Sequence, residues 1–371
     1  MYDILIIGGG LAGLTNAIQL SAAGLEVLVV EKNEYPFHKV CGEYISNEVK
    51  PFLKSIGADV EALAPADIRK LMVTSPYGTK LEAPLDLGGF GISRYSLDHY
   101  LYQIALTKGV KFSLKTQVSE VSFAENKFQV TLSNGKFENS NLVIGAFGKR
   151  SNLDRQLNRA FFYKRSPYIG VKYHIRTDFP KDLIALHNFK DGYCGISSIE
   201  EDKYCFCYLT SRENLKAHGQ IGEMEKKILY KNPYLKEIFT NSEFLFEKPE
   251  VINEISFEKK TVVENHILMS GDTAGMIAPL CGNGMSMAIH SSKILSDLIL
   301  KHYKKEAFNR TLLEQEYTRK WNDLFATRLF AGRTIQRIFG KEFMTEAVIR
   351  GLKIARPATN WLIKQTHGKI F

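Results

Sequence analysis

Apolar residues along the chain fall into continuous runs, helical spacings and strict alternations, and each pattern predicts an element. Tyr2 to Ile7 is an almost unbroken apolar run, as expected of a strand buried on both faces, and Leu14 to Ala23 keeps apolar residues at helical spacing until Gly24. Val27-Leu28-Val29-Val30 is a second buried strand, ending at Glu31. Strand, glycine turn, helix and strand in about 30 residues predict a parallel unit. A long connection and a helix follow over 33–60, antiparallel-like strands over 70–92 and a helix over 97–108. Short strands at 111–114, 127–132 and 142–145 flank the turn signal Asn134-Gly135.

From 167 to 258 the pattern is strand-rich and aromatic, with strands predicted at 168–175, 192–199, 204–210 and 251–257 and a helix over 211–240. A buried strand, Ile267 to Ser270, and a helix over 284–300 come next. Residues 301–371 read as helices, with breaks expected at Gly332, Gly340 and Gly351. No internal repeat or low-complexity tract interrupts this order.

Composition narrows the class. The 371 residues are 44% hydrophobic and 24% charged, with 28 Gly and 11 Pro, which excludes disordered and collagen-like chains. No apolar stretch reaches the ~18 residues a membrane-spanning helix needs, and the start of the chain does not read as a signal peptide. Cysteines stand at 41, 194, 205, 207 and 281 with no C-x-x-C pair, so neither a disulfide framework nor a metal site is expected. A reduced, cytoplasmic setting follows.

The formal charge is +9, and its distribution matters more than its size. Residues 301–371 hold 15 Lys plus Arg against 6 acids, whereas residues 1–300 hold 34 of each. The excess lies wholly in the helical region, which argues against a nucleic-acid groove. Helices carrying Trp321, Leu324, Phe325, Leu329, Phe330, Ile338, Phe339 and Trp361 fit an anionic membrane surface, here the inner membrane face, or an acidic carrier protein. The competing expectation is a helical face that closes the substrate domain.

Candidate chemistry begins with Gly8-Gly9-Gly10-Leu11-Ala12-Gly13, a G-x-G-x-x-G between strand and helix, with Glu31 closing the second strand. Gly8 permits the tight turn, Gly10 lets a pyrophosphate approach the backbone and Gly13 lets helix pack on strand. The helix N-terminus faces the phosphates, and Glu31, followed by Lys32, meets the ribose. An acid in that place disfavours a 2′-phosphate. A second motif comes some 260 residues later: Gly271-Asp272 after a buried strand, then Pro279-Leu280-Cys281-Gly282-Asn283-Gly284-Met285 opening a helix.

This second motif resembles the FAD fingerprint of flavoproteins of the p-hydroxybenzoate hydroxylase type. The resemblance covers residues 2 to about 300 and implies that Asp272 binds the ribityl chain while the 279–285 loop cradles the isoalloxazine. Amides at a helix start suit negative charge on a reduced flavin. It also places Arg94 at the flavin and the backbone near Val118 at the adenine. His38-Lys39-Val40-Cys41-Gly42-Glu43 is similar to the K-x-C-G segment of geranylgeranyl reductases, which sets Cys41 near the flavin ring. Lys39 would neutralise phosphate charge.

The implied fold is α/β: a Rossmann-like FAD-binding domain (1–70, 93–155 and 260–300) interleaved with a mixed, largely antiparallel-sheet substrate domain (71–92 and 156–259), plus a basic helical extension (301–371). One departure stands out. Aromatic hydroxylases of the superfamily carry G-A-D-G-x-x-S, whereas Gly145-Ala146-Phe147-Gly148-Lys149-Arg150-Ser151 has Phe147 in place of the acid, so electrons are expected from NAD(P)H by another approach or from a separate reductase. The aromatics between 161 and 208, with Tyr193 foremost, are expected to line a pocket for a large lipophilic or aromatic substrate. His174 and His187 are further acid–base candidates.

Two reactions follow from the resemblance. Oxygenation of an electron-rich ring by reduced flavin and dioxygen is the leading expectation. Reduction of a carbon–carbon double bond, with Cys41 as proton source, is the alternative. Phenol-type halogenation and a non-catalytic flavin carrier are minor alternatives. The tryptophan motif of other flavin halogenases is absent, since only Trp321 and Trp361 occur.

Overall fold

The computed structural model describes residues 1–253, 255–278, 280, 282–303, 308–338, 341–355 and 368–371. Strand β1 (Tyr2–Ile7), helix α1 (Leu11–Ala22) and strand β2 (Val27–Val30) form the parallel unit expected from the sequence. The next stretch holds β3 (Tyr44–Ser46), α2 (Lys50–Ser55), β4 (Ala66–Thr74) and β5 (Lys80–Gly91), so the helix expected over 33–60 is a single short one behind a strand. Then come α3 (Arg94–Thr107), β6 (Lys111–Ser113) and the meander β7 (Val118–Ala124), β8 (Lys127–Leu132) and β9 (Phe137–Gly145). Gly135 turns the β8–β9 hairpin with a positive φ of 81°.

After α4 (Asn152–Gln156) run β10 (Tyr168–Arg176), β11 (Leu183–Phe189), β12 (Gly192–Ser198) and β13 (Tyr204–Ser211). The helix expected over 211–240 is three: α5 (Arg212–His218), α6 (Ile221–Ile228) and α7 (Pro233–Asn241), divided by Gly219 at φ 73° and by Pro233. Strands β14 (Glu243–Phe244), β15 (Glu250–Asn253), β16 (Val263–Glu264) and β17 (Ile267–Met269) precede α8 (Gly284–His302), α9 (Arg310–Ile338) and α10 (Glu342–Ile354). Gly332 and Gly351 do not break helices, because α9 and α10 run through them; Gly340 lies outside the described residues.

Two sheets result. The first runs β16-β17-β9-β1-β2-β6, parallel from β17 to β6, with β7 and β8 folded onto β9. The second runs β14-β10-β13-β12-β11-β4-β5-β3 and is antiparallel except where β11 pairs with β4. Helices α1 and α8 cover the first sheet, tied by Thr15 Oγ1 and Ser292 Oγ at 2.6 Å and by Ser296 Oγ donating to Asn16 Oδ1 at 2.8 Å. Helix α9 packs on α8, sinking Leu313, Tyr317, Trp321, Phe325 and Leu329 into the same core.

Alternation on the second sheet settles the aromatic residues. Tyr173, Tyr204, Phe206 and Tyr208 share the face covered by α6 and α7, packing on Met224, Leu229 and Leu235. They are core residues, on the face turned away from residues 39–43. The opposite face, with Gly170, Lys172, His174, Tyr193, Cys205 and Leu209, meets residues 39–43 and the loop after β17.

Candidate active site

The two glycine turns meet. A Cβ at Gly271 would stand 2.9 Å from Ala12 Cβ, so the second turn rests directly on the first turn's helix. Close packing also explains Gly13, whose Cβ would fall 1.9 Å from the Gly8 carbonyl, and Gly8, at φ 104° with its Cβ position 2.4 Å from the Ala146 carbonyl. Ser291 Oγ accepts from Gly271 N at 2.9 Å, fixing the turn to α8.

The N-terminus of α1 has no side-chain cap and no acid in its first turn. Its free N–H groups suit a diphosphate, and cations stand opposite. Lys39 Nζ and Arg94 Nη2 lie 3.8 and 3.7 Å from the position a Gly10 Cβ would take. Both are held by buried Asp98: Arg94 Nε and Nη2 each donate to it at 2.7 Å, and Lys39 Nζ at 2.9 Å. Burial alone would raise the Asp98 pKa, but Arg94 and Lys39 outweigh it and hold the carboxyl below its ordinary value.

At the end of β2, Glu31 Oε2 accepts from Gly9 N at 2.8 Å and its Oε1 from Asn33 N at 3.0 Å. Thr116 N donates to Glu31 O at 3.1 Å, which carries the backbone leading to Val118 past the same corner. Lys32 points to the surface. Asp272, whose pKa burial raises against the pull of Lys260, Arg94 and Lys149, sits in a narrow cleft with Gly275, Gly284, Met287 and Trp321. Lys260 Nζ bridges Lys149 O and Asp272 O at 2.7 and 2.8 Å, and burial lowers its pKa to about 8. Gly148 N donates to Thr273 Oγ1 at 2.9 Å, so the stretch holding Phe147 is pinned to the second turn. Gly282 packs near the Tyr44 ring, Gly284 and Met285 open α8, and Asn283 is buried before them. Pro279 lies outside the described residues, as does Cys281.

Cys41 lies over β13, where Cys205 Sγ donates to its carbonyl at 3.2 Å. Burial raises the thiol pKa of Cys41 against the pull of Arg94, and lifts that of Cys207 to about 12. Beneath this segment is a group that sequence reading missed. Glu43, fully buried and left-handed at φ 53°, accepts from Lys172 Nζ at 2.5 Å, from Arg94 N at 2.8 Å, and pairs with His174 Nε2 at 2.7 Å. Burial would raise its pKa, yet Lys172 and His174 bring it down to about 2. The signal available in sequence was a lysine at the centre of a largely apolar strand, Tyr168 to Arg176, two residues before a histidine. His174 is thus a hydrogen-bond partner of Glu43. His187 is buried against Thr74 Oγ1 at 3.0 Å with its pKa lowered by burial to about 3, remote from acid–base work.

Tyr193, on β12, packs with Leu209, Ile255 and Leu280, edged by Tyr168, Phe257 and Met276. This apolar wall stands against the loop that leads into Gly282-Asn283-Gly284. No group of three or more metal-ligating side chains occurs among the described residues.

Two paired glycine turns, an uncapped helix N-terminus with facing cations and a buried acid at the end of β2 define a dinucleotide-binding type of fold. The family model of the FAD binding domain matches residues 1–323, and the chain belongs to that family of FAD-dependent oxidoreductases. It is 25% identical over 350 residues to the digeranylgeranylglycerophospholipid reductase of Methanosarcina mazei, covering 87% of this chain and 81% of that one. It is 22% identical over 401 residues to the ubiquinone hydroxylase UbiM of Neisseria meningitidis, covering 97% and 82%. The flavin-dependent brominase Bmp2 superposes with a TM-score of 0.80 at 19% identity over 98% of this chain and 93% of that one, a likeness of fold.

Proposed function

We propose that this chain is a flavin-dependent monooxygenase that hydroxylates a large apolar or aromatic substrate. The observation that carries this reading is the buried apolar cluster of Tyr193, Leu209, Ile255 and Leu280 beside the loop before α8, which in this proposal walls a dry site for a lipid-like ring. The ubiquinone hydroxylase relative, matched along nearly the whole chain, supports it. FAD, when bound, supplies the redox and oxygen chemistry. In this assignment Gly8, Gly10, Leu11, Ala12 and Gly13 hold the diphosphate with Arg94 and Lys39. Glu31, Lys32 and Val118 flank the adenosine, and Gly271 and Asp272 the ribityl chain. Gly282, Asn283, Gly284 and Met285, with Cys41, surround the ring. The division of the chain into 1–70, 93–155 and 260–300 for cofactor and 71–92 and 156–259 for substrate goes with it. Electrons come from NAD(P)H or a separate reductase.

A second reading, reduction of a carbon–carbon double bond, is favoured by the Cys41-Gly42 segment and by the digeranylgeranylglycerophospholipid reductase relative. The local chemistry weakens it. A thiol with a raised pKa is a poor acid, and Lys172 and His174 are both engaged by Glu43. Incubating reduced enzyme and dioxygen with lipid-like phenols is expected to add about 16 mass units to product, whereas polyenes gaining about 2 without oxygen would replace this reading with the second.

No helix among the described residues is long and apolar enough to cross a membrane. Trp321, Phe325 and Leu329, expected on a membrane-facing surface, are instead core; Leu324 and Phe330 are exposed, while Phe339, Trp361 and the side chain of Ile338 lie outside the description. The membrane-facing surface in this proposal is α10, where Phe343 and Ile354 are 82% and 87% exposed beside Lys341, Arg350 and Lys353. Changing Phe343 and Ile354 together to Asp is expected to weaken binding to anionic vesicles at least about tenfold. Unchanged co-sedimentation would remove α10 from the interface and leave an acidic carrier protein as the partner to test.

A further inference from the structure

Glu48 is a carboxylate with no exposed surface, and no step of the proposed chemistry uses it. It follows β3, the strand that rails the loop before α8. Ser46 N donates to Ser286 Oγ at 3.2 Å, and the Tyr44 ring lies 3.4 Å from where a Gly282 Cβ would be. Two distant parts of the chain converge on Glu48 from the other side. Arg328 of α9 brings Nη1 within 4.0 Å of Oε1. Residues 368–371 then close over the pair. A Cβ at Gly368 would stand 2.1 Å from Glu48 Oε2 and 2.7 Å from Arg328 Nη2, so the backbone there is seated on the two groups and any side chain would have to displace them. Phe371 completes the closure, its N–H donating to Glu48 O at 3.4 Å and its ring stacked on His290 of α8 at 3.7 Å.

We infer that Glu48 and Arg328, clamped by the segment 368–371, are positioning residues that hold Asn283 and the loop before α8 in register for the flavin. The inference rests on the assignment of that loop to the flavin ring. Burial raises the Glu48 pKa, and that shift is opposed, in order, by Arg328, by the Gly368 amide and by the Asn283 side chain, so the clamp and the loop act on the same carboxyl. A buried carboxylate tied to one cation tolerates no loss of its neighbours, and displacing the segment loosens the loop through it. The segment reaches the loop through Glu48, and Phe371 also braces α8 through His290.

The test uses the full chain and three variants: Gly368→Val, which pushes the Glu48 carboxylate aside without altering the loop, Glu48→Gln, which removes the charge, and Asn283→Ala in the loop itself. Hydrogen–deuterium exchange over the loop peptide of the flavin-free protein and FAD titration by visible absorbance are the readouts, with thermal unfolding confirming that each variant is folded. Gly368→Val and Glu48→Gln are expected to speed exchange in the loop, to raise the FAD dissociation constant about tenfold and to alter the bound flavin spectrum. Parental exchange and spectrum in both variants, alongside an altered spectrum in Asn283→Ala, would overturn the clamp and leave the loop assignment standing. A parental flavin spectrum and affinity in Asn283→Ala would overturn the loop assignment and the inference with it.

Discussion

Replacing Glu43 by alanine is expected to cost about 3–5 kcal/mol of folding stability, because it strands buried Lys172 without its counter-charge and His174 without its hydrogen-bond partner. Both partners are buried, and Lys172 would keep only the Lys39 carbonyl at 3.1 Å. Urea unfolding of the variant measures the loss. The double variant Glu43→Ala with Lys172→Met is expected to recover a large part of it, since removing both charges spares the desolvation that one orphan charge must bear. Additive losses would show that the pair is not coupled. The pH dependence has a definite sign. Glu43 titrates at about 2 in the folded chain against an ordinary 4.5, so its stabilising contribution is full above pH 5 and is lost as pH falls toward 2. The span of the shift corresponds to about 3 kcal/mol, and that part of the acid slope should be missing in Glu43→Ala.

Why Glu43 escaped sequence reading, when the glycine turns did not, is a matter of range. Gly8, Gly10 and Gly13 are legible because they form one local spacing between a strand and a helix, and at Gly13 the turn itself forbids a Cβ, which would fall 1.9 Å from the Gly8 carbonyl. Glu43 meets Lys172 and His174 across 129 and 131 residues, and no local rule reports such a pairing. The lone lysine in β10 showed that something buried must accept its charge, without naming the acceptor.

The aromatic strands illustrate a different limit. Alternation was readable, but which face receives a cover is decided by α6 and α7, and Tyr173, Phe206 and Tyr208 went under them. In the same way Gly332 looked like a helix break, whereas burial of α9 against α8 outweighs the ~1 kcal/mol propensity cost of an interior glycine. Tertiary packing overrode local preference in both places. The basic charge of 301–371 was legible as a count. That Trp321 would turn inward to line the cleft at Asp272 was not.

Arg94→Met is expected to weaken FAD binding by about 10- to 100-fold, the range for losing charge-assisted hydrogen bonds of about 1.5–3 kcal/mol. Its guanidinium faces Gly10 at the uncapped start of α1, where a diphosphate would place two negative charges. Lysine is a poor replacement. Arg94 grips both oxygens of Asp98 with two nitrogens and still presents an edge to the turn, a division of donors that a single ammonium lacks. Arg94→Lys should therefore fall between Met and the parent. Asp98→Asn separates holding from binding: the cation remains but its tether weakens, so affinity should drop less than in Arg94→Met. Because Arg94→Met also leaves the Asp98 carboxylate with Lys39 alone, unfolding of the flavin-free protein must be measured beside the titration. A methionine variant that binds FAD like the parent, at parental stability, would move the diphosphate away from Gly10 and Arg94. A weaker complex in a protein of near-parental stability would assign the guanidinium to the phosphates directly.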